Sequence, residues 1–546
     1  MASQVTAQED DVRLKMLNTF MTCPHRDTDK VLEVHKELQA KDPVFYAHLA
    51  CWYLKHGEIR DMQEIFSAAL SCDPYLENRE VGIALWQQHR PTLKSKILGF
   101  IHGKTVKIST KTGKMIKIGG KEVEQRVTTE KKVGLNRSVP TSFRNEVEKY
   151  LRWLESDADR FDTVALSNAD ELKSLYLVTG KRHGIKPSAR AQQILFDKKY
   201  PPDSKLTVFK KIVTAKTPEE QATMIVENKI PYPIAVGLVE KITPSILVAL
   251  VNAMSPQEVI NNVASLQDKG AYDNPDLKRM IEAKLVKAST SKSVSTLKSK
   301  TAKNTGRVQD ESIKQKLDEV ADKQVKRTGA IKMSTAIFVD KSGSMNKAIE
   351  VGKRVASLVS GALEAVMHVV AFDSAAREIH AEGTTLTAWE NAFKPVKADG
   401  QTSMGVALDY LIRANWPVEQ IVIITDEGEN QAPRFADVFP KYVAKFGSTP
   451  RVIVIHLKSD DGSENFVLTQ TLKLRSIEFE VFTPKDADYY SLPGLIPFLS
   501  RHSKLDLIYE IMDTPLVKRK AYKIGEAVPA YKEPTRNIAW TEPVTE

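Results

Sequence analysis

Between residues 334 and 500, short apolar runs alternate with amphipathic stretches, and no other feature of the chain limits its fold as tightly. "STAIFVD", "AVMHVVAFD", "QIVIITDE", "PRVIVIHLK" and "IEFEVFTPK" read as strands, with "AREIHAEG" as a further short one. "MNKAIEVGKRVASLVSGALE", "TSMGVALDYLIRA" and "PRFADVFPKYVAKF" lie between them and read as helices. A strand with one wet face alternates apolar and polar residues, and these runs do not. They call for burial on both faces, which means a parallel sheet with helices on each side: a doubly wound, Rossmann-like α/β domain.

In such a sheet, ligands collect outside the carboxyl ends of the strands. The first run ends in "VDKSGSM", which sets Asp340, Ser342 and Ser344 at alternate positions. Asp426 ends the run "IVIITD", and Thr402, in "DGQTSM", opens the helix that precedes it. Separate stretches therefore deliver Asp340, Ser342, Ser344, Thr402 and Asp426 to one edge. Two carboxylates and hydroxyls, with room for water, suit a hard octahedral cation, Mg²⁺ or another divalent ion. No His or Cys lies beside them, which argues against zinc. A serine nucleophile needs a histidine partner, and neither His380 nor His456 supplies one in a suitable setting. No Walker-type phosphate loop is present. No catalytic residue is assigned, and the chain is expected not to be an enzyme.

The rest of the chain reads differently. Residues 1–283 show helical spacing, with Leu32, Val34 and Leu38, then Phe45, Leu49, Trp52 and Tyr53, on periodic faces. "TPEE" at 217–220 and "SPQE" at 255–258 each combine an N-cap, an N1 proline and an N3 glutamate, the pattern of a capping box. Thr243-Pro244 opens another helix. Helices restarted every dozen or two residues indicate stacked helical hairpins, an all-α repeat domain of HEAT-like type. A Lys-rich insertion at 101–138 alternates Lys with Val, Ile and Thr between glycines and reads as a β-hairpin or a mobile loop. Residues 284–333 form a basic linker, acid-free from Ala283 to Gln309, followed by a short helix. The α/β domain occupies 334–500, and 501–546 is a C-terminal extension.

Charge divides along the same lines. Residues 1–333 carry 55 Lys and Arg against 41 Asp and Glu, while 334–500 carry 16 against 21. A basic N-terminal part favours an anionic partner there. The cysteines, Cys23, Cys51 and Cys72, match no metal spacing and read as free thiols in a reducing compartment. No run reaches the length of a membrane span, and the acidic N-terminus does not resemble a secretion signal, so the expected location is cytoplasmic.

Asp340-x-Ser342-x-Ser344, with a later Thr402 and a later Thr425-Asp426, resembles the metal-ion-dependent adhesion site of von Willebrand factor A domains. The resemblance implies that Ser342, Ser344 and Thr402 contact the metal and that Asp340 and Asp426 hold its waters. It also implies one coordination position left for a partner's acidic residue. Gln401-Thr402-Ser403 departs from the family pattern, which leaves Ser403 as an alternative ligand. "GLNRSVPTSFRNEVEKYLRWLES" at 134–156 and "HGIKPSARAQQILFDKKYP" at 183–201 resemble the TROVE module of Ro ribonucleoproteins. The domain order is similar too, a helical-repeat ring followed by a von Willebrand factor A domain.

The Ro resemblance implies a non-enzymatic RNA-binding scaffold. Small non-coding, Y-like RNA and single-stranded RNA ends would be its nucleic-acid partners. Lys149, Arg152, Lys181, Arg182, Lys186 and Arg190 are the candidate phosphate contacts, and His183 a candidate stacking group. The alternative is a protein-interaction adaptor without RNA, whose metal site engages an AAA+ ATPase or another subunit.

Overall fold

The computed structural model describes residues 13, 16–17, 28–57, 60–118, 121–177, 184–291, 294, 302, 308–463, 465–483, 492–501 and 504–522. The apolar runs of the C-terminal half form one six-stranded sheet in the order β5-β4-β3-β6-β7-β8. Its strands are β3 (Thr335–Asp340), β4 (Met367–Phe372), β5 (Ala376–Glu378), β6 (Gln420–Thr425), β7 (Arg451–His456) and β8 (Phe479–Phe482). All neighbours are parallel except β5, which pairs antiparallel at the edge.

Every residue of β3 and of β6 is buried, and alternate side chains feed two different cores. Ile337 and Val339 pack in the layer that holds α15 (Asn346–Ala362). Ala336 and Phe338 pack in the opposite layer with α17 (Gly405–Ala414) and α18 (Phe435–Phe446). The helix α15 crosses β3 so closely that a Cβ on Gly352 would lie 2.6 Å from Val339 Cγ1. A bare helix surface is what lets the backbone approach the sheet there.

The N-terminal part is an array of helices. Its first members are α1 (Thr28–Lys41), α2 (Pro43–His56), α3 (Arg60–Ser71), α4 (Leu76–Gln88), α5 (Pro91–His102), α6 (Thr141–Glu155) and α7 (Ala158–Leu177). These are followed by α8 (Val208–Thr214), α9 (Pro218–Glu227), α10 (Tyr232–Leu238), α11 (Pro244–Ala253), α12 (Pro256–Asp268), α13 (Pro275–Thr290) and α14 (Glu311–Thr328). Aromatic side chains, among them Tyr46, Phe66 and Trp86, fill the early core, and aliphatic ones fill the later. Helix α13 runs to Thr290, past the boundary expected at 283, because Leu285, Ala288 and Ser289 still face a core. The capping box at Ser255 is complete. At Thr217 only half of it forms: Thr217 caps the Glu220 N–H, but the Glu220 carboxylate accepts from Lys216 N at 3.0 Å instead.

The basic insertion is a two-stranded antiparallel ribbon, β1 (Lys104–Ile118) and β2 (Lys121–Val133), with its register shifted between Lys111 and Met115. It is an excursion from the array, because the chain returns where it left. Leu135 N donates to Phe100 O at 2.9 Å and Arg137 N to Ile101 O at 2.8 Å. Gly134, at φ 135, makes that return possible; a Cβ there would meet Phe100 O at 2.2 Å.

Both ends of the array are tied to the α/β domain. At the far end, α14 leads into a bridge in which Ile331 N donates to Ala362 O, and Thr387 Oγ1, on α16 (Leu386–Phe393), donates to Asp318 Oδ2 at 3.2 Å. At the near end, the chain beyond the sheet comes back to the first helices. Glu510, on α20 (Lys504–Met512), accepts from Trp52 Nε1 at 2.9 Å. His48 Nδ1 lies 2.8 Å from Thr514 O, and Gln87 exchanges two hydrogen bonds of 2.8 Å with the Lys520 backbone. Arg519 bridges Glu80 and the buried Glu146. Among the described residues, Cys51 and Cys72 are free thiols. No described helix is long and apolar enough to cross a membrane.

Candidate metal centre and RNA-contact residues

The sheet brings its strand ends to one edge, and the acids predicted from sequence are there. Asp340, the last residue of β3, is fully buried. Its Oδ1 accepts from Ser342 N at 2.9 Å and its Oδ2 from Thr425 Oγ1 at 2.7 Å. Asp426, one residue past β6, accepts from Gly428 N at 2.9 Å, and the Ser459 hydroxyl donates to its other oxygen. Burial pushes the Asp340 carboxyl up to about 6, Asp426 adds to the rise, and the Ser342 and Thr425 hydrogen bonds oppose it. Two converging buried carboxyls are electrostatically costly unless a positive charge joins them.

Thr402 is buried and lies in the loop before α17, three residues ahead of the helix's first residue rather than at it. Its N–H donates to Asn430 Oδ1 at 2.9 Å, and its carbonyl accepts from Asn430 N and Gln431 N. Ser403, the alternative ligand, is fully buried and its hydroxyl is committed to Pro433 O at 2.8 Å. Ser342 Oγ is buried with no hydrogen-bond partner. Ser344 is exposed, and its carbonyl accepts from Asp460 N. The donors are oxygens of two carboxylates and three hydroxyls, a set fitted to a hard cation, and the orphaned Ser342 hydroxyl is a group such an ion would satisfy. No cluster of three His, Cys, Asp or Glu side chains able to hold a metal occurs among the described residues.

Neighbours of the site escaped the sequence reading. Asp373 follows β4, and Lys341 forms an ion pair with it, which gives the one basic residue of the "DKSGS" turn its place. Ser459 lies just past β7, and Asn430 in the turn after Asp426. Each follows from the strand-end rule already applied to Asp340, had it been carried to every strand. Glu429, also in that turn, spans the starts of two helices: Oε1 accepts from Met404 N at 3.1 Å and from Phe435 N at 2.7 Å, while Oε2 is buried without a partner. Burial pushes its carboxyl up to about 7, against the pull of those backbone donors.

The candidate RNA contacts differ in how free they are. Lys149 is 65% exposed and lies 4.0 Å from Glu146. Lys186 is exposed. Arg152 pairs with Glu155 at 2.6 Å and Glu148 at 3.4 Å, and donates to Lys186 O at 2.9 Å. Arg190 is spread over Asp162, at 3.1 and 2.7 Å, and Asp203, at 2.6 Å. A guanidinium engaged this way must surrender a partner before it binds a phosphate. Lys181, Arg182 and His183 lie outside the described residues.

The chain is similar in structure to the Ro (RSR) protein of Deinococcus radiodurans, covering 85% of this chain and 92% of that one, with 13% identity and a TM-score of 0.53. A von Willebrand factor type A protein from Catenulispora acidiphila also matches, over 34% of this chain and 42% of its own, with 18% identity and a TM-score of 0.23. No protein-family model and no curated protein matches the sequence. The likeness to the Ro protein is one of fold, a helical array followed by an α/β domain.

Proposed function

We propose that this chain is a non-enzymatic, Ro-type RNA-binding scaffold. The basic helical part takes small non-coding RNA and single-stranded RNA ends, and the α/β domain presents a Mg²⁺-dependent site to a protein partner. The observation that carries the reading is the shared fold with a Ro protein over 85% of the chain. The surplus of 55 basic against 41 acidic residues in 1–333 supports it, since phosphate contacts need that charge and the α/β domain lacks it.

At the metal centre Ser342, Ser344 and Thr402 would contact the cation, and Asp340 and Asp426 would hold its waters. When bound, the ion supplies a Lewis-acidic position that an acidic residue of a partner can occupy. The chain's own part is to hold the carboxylates buried and the hydroxyls oriented.

A mobility-shift titration of the full chain with a short structured RNA tests the RNA reading. A shift at low salt, with affinity falling linearly on a log–log salt plot, is expected. No shift at low salt sinks it. The internal pairing of Arg152 and Arg190 favours a second reading, the adaptor without RNA. Mg²⁺-dependent capture of an AAA+ ATPase or other acidic partner by a chain that shifts no RNA would establish that one.

A further inference from the structure

The turn behind the candidate metal centre contains a residue in an unfavourable backbone conformation. Glu427 sits at φ 67, the left-handed region that suits glycine. It directly follows Asp426 and is fully buried. A glutamate holds such a position only where its surroundings over-determine it.

They do so through its carboxylate. Oε1 lies 2.7 Å from His456 Nδ1, at the end of β7. Oε2 accepts from Thr469 N at 3.0 Å and from Thr469 Oγ1 at 2.5 Å, in the first turn of α19 (Val467–Leu474). On the backbone side, Glu427 N donates to Thr425 Oγ1 at 2.9 Å, and that same hydroxyl donates to Asp340 Oδ2 at 2.7 Å. Glu427 O accepts from Glu429 N and Leu468 N. One residue therefore links β3, β6, β7 and α19 immediately behind the site.

We infer that Glu427 is the positioning residue of the cation site. Its buried carboxylate clamps the end of β6 to the end of β7 and the start of α19, and so holds Asp426 and Ser459 toward the same edge. The inference rests on the cation reading above and deepens it. Glu427 touches no cation itself: its carboxylate is spent on His456 and Thr469. Thr469, more remote still, should matter to the cation as well, because it carries half of the clamp.

The test uses the full chain and Mn²⁺ alone as the probe, followed by paramagnetic resonance or calorimetry. Glu427→Gln and Thr469→Val should each weaken Mn²⁺ binding by about 10- to 100-fold, the usual cost of losing a group that orients a metal ligand. Thr471→Val is the control: Thr471 is on the same helix, and its hydroxyl donates to the carbonyls of Val467 and Leu468. It should bind Mn²⁺ as the parent does. Hydrogen exchange of amides 426–430 without metal should quicken in the first two variants and not in the third. If Glu427→Gln fails to fold, Thr469→Val carries the test. Folded variants with parental affinity and unchanged exchange overturn the positioning role. A parent chain that takes up no Mn²⁺ overturns the cation reading instead, and the exchange data then decide the clamp on their own.

Discussion

Asp340 shows how much a single residue's role depends on its surroundings. It ends a fully buried strand, and its two oxygens already take one backbone and one side-chain donor. Asp340→Ala should abolish Mn²⁺ binding, read by paramagnetic resonance, while leaving an RNA mobility shift unchanged, because the basic surplus lies in the other part of the chain. Glu429 yields a pH prediction. Its folded-state carboxyl sits at about 7, against 4.5 for an ordinary glutamate, so between those values the folded chain binds more protons than the unfolded one. Its contribution to stability is present below about pH 4.5 and is lost as pH rises toward 7. Glu429→Gln should flatten the slope of urea-unfolding stability against pH over that window. An unchanged slope would assign the dependence to other groups.

Elements were legible where their cause is local. The β-runs and the cap at Ser255 follow from periodicity and capping chemistry within a few residues, whereas the Lys-rich stretch at 101–138 left a hairpin and a loop both open until the paired strands at 104–118 and 121–133 decided for the hairpin. The Thr217 box closed only halfway because Lys216 N, one residue earlier, took the Glu220 carboxylate. The extension of α13 to Thr290 could not be read from the basic composition of that stretch, since only a neighbouring core makes Leu285 and Ala288 into buried positions. The crossing of α15 over β3 gives a packing prediction. Gly352→Ala places a Cβ 2.6 Å from Val339, so it should destabilise the domain by about 1–3 kcal/mol in chemical denaturation despite alanine's better helix propensity.

At the scale of the whole molecule, the chain past the sheet closes a circuit between the α/β domain and the first helices. Arg519 is central to that closure, with Glu80 at 2.5 and 2.8 Å and Glu146 at 3.0 Å. The Glu80 pair is about one-third exposed on both sides and contributes roughly 0–1 kcal/mol. Glu146 is buried, so losing Arg519 leaves it with Gln87, at 2.6 Å, and the distant Lys149. Arg519→Glu should therefore loosen residues 513–522, seen as faster proteolysis there, and Glu80→Arg in the same chain should restore part of the protection. Equal cleavage of all three proteins would show that the closure does not depend on this ion pair. The proposed RNA binding is tested at this scale as well. Lys149→Ala and Lys186→Ala should each lower the slope of log affinity against log salt by about 1 if those exposed amines contact phosphate.

The sequence alone determined the α/β class and the helical array, and it set the expectation that Asp340, Ser342, Ser344, Thr402 and Asp426 lie toward one edge. Each of these rests on residue spacing, on unbroken apolar runs, or on the rule that parallel strands present ligands at their carboxyl ends. Only the tertiary structure decided that Arg152 donates to the Lys186 carbonyl, that Arg190 is held by Asp162, that Ser403 is committed to Pro433, and that Lys341 answers Asp373. It also decided that Glu427 clamps three elements behind the site and that residue 519 returns to residue 80. The physical reason is the same in each case. A charged or hydroxyl side chain has several partners it could take, and which one it takes depends on residues brought close only when the whole chain has packed.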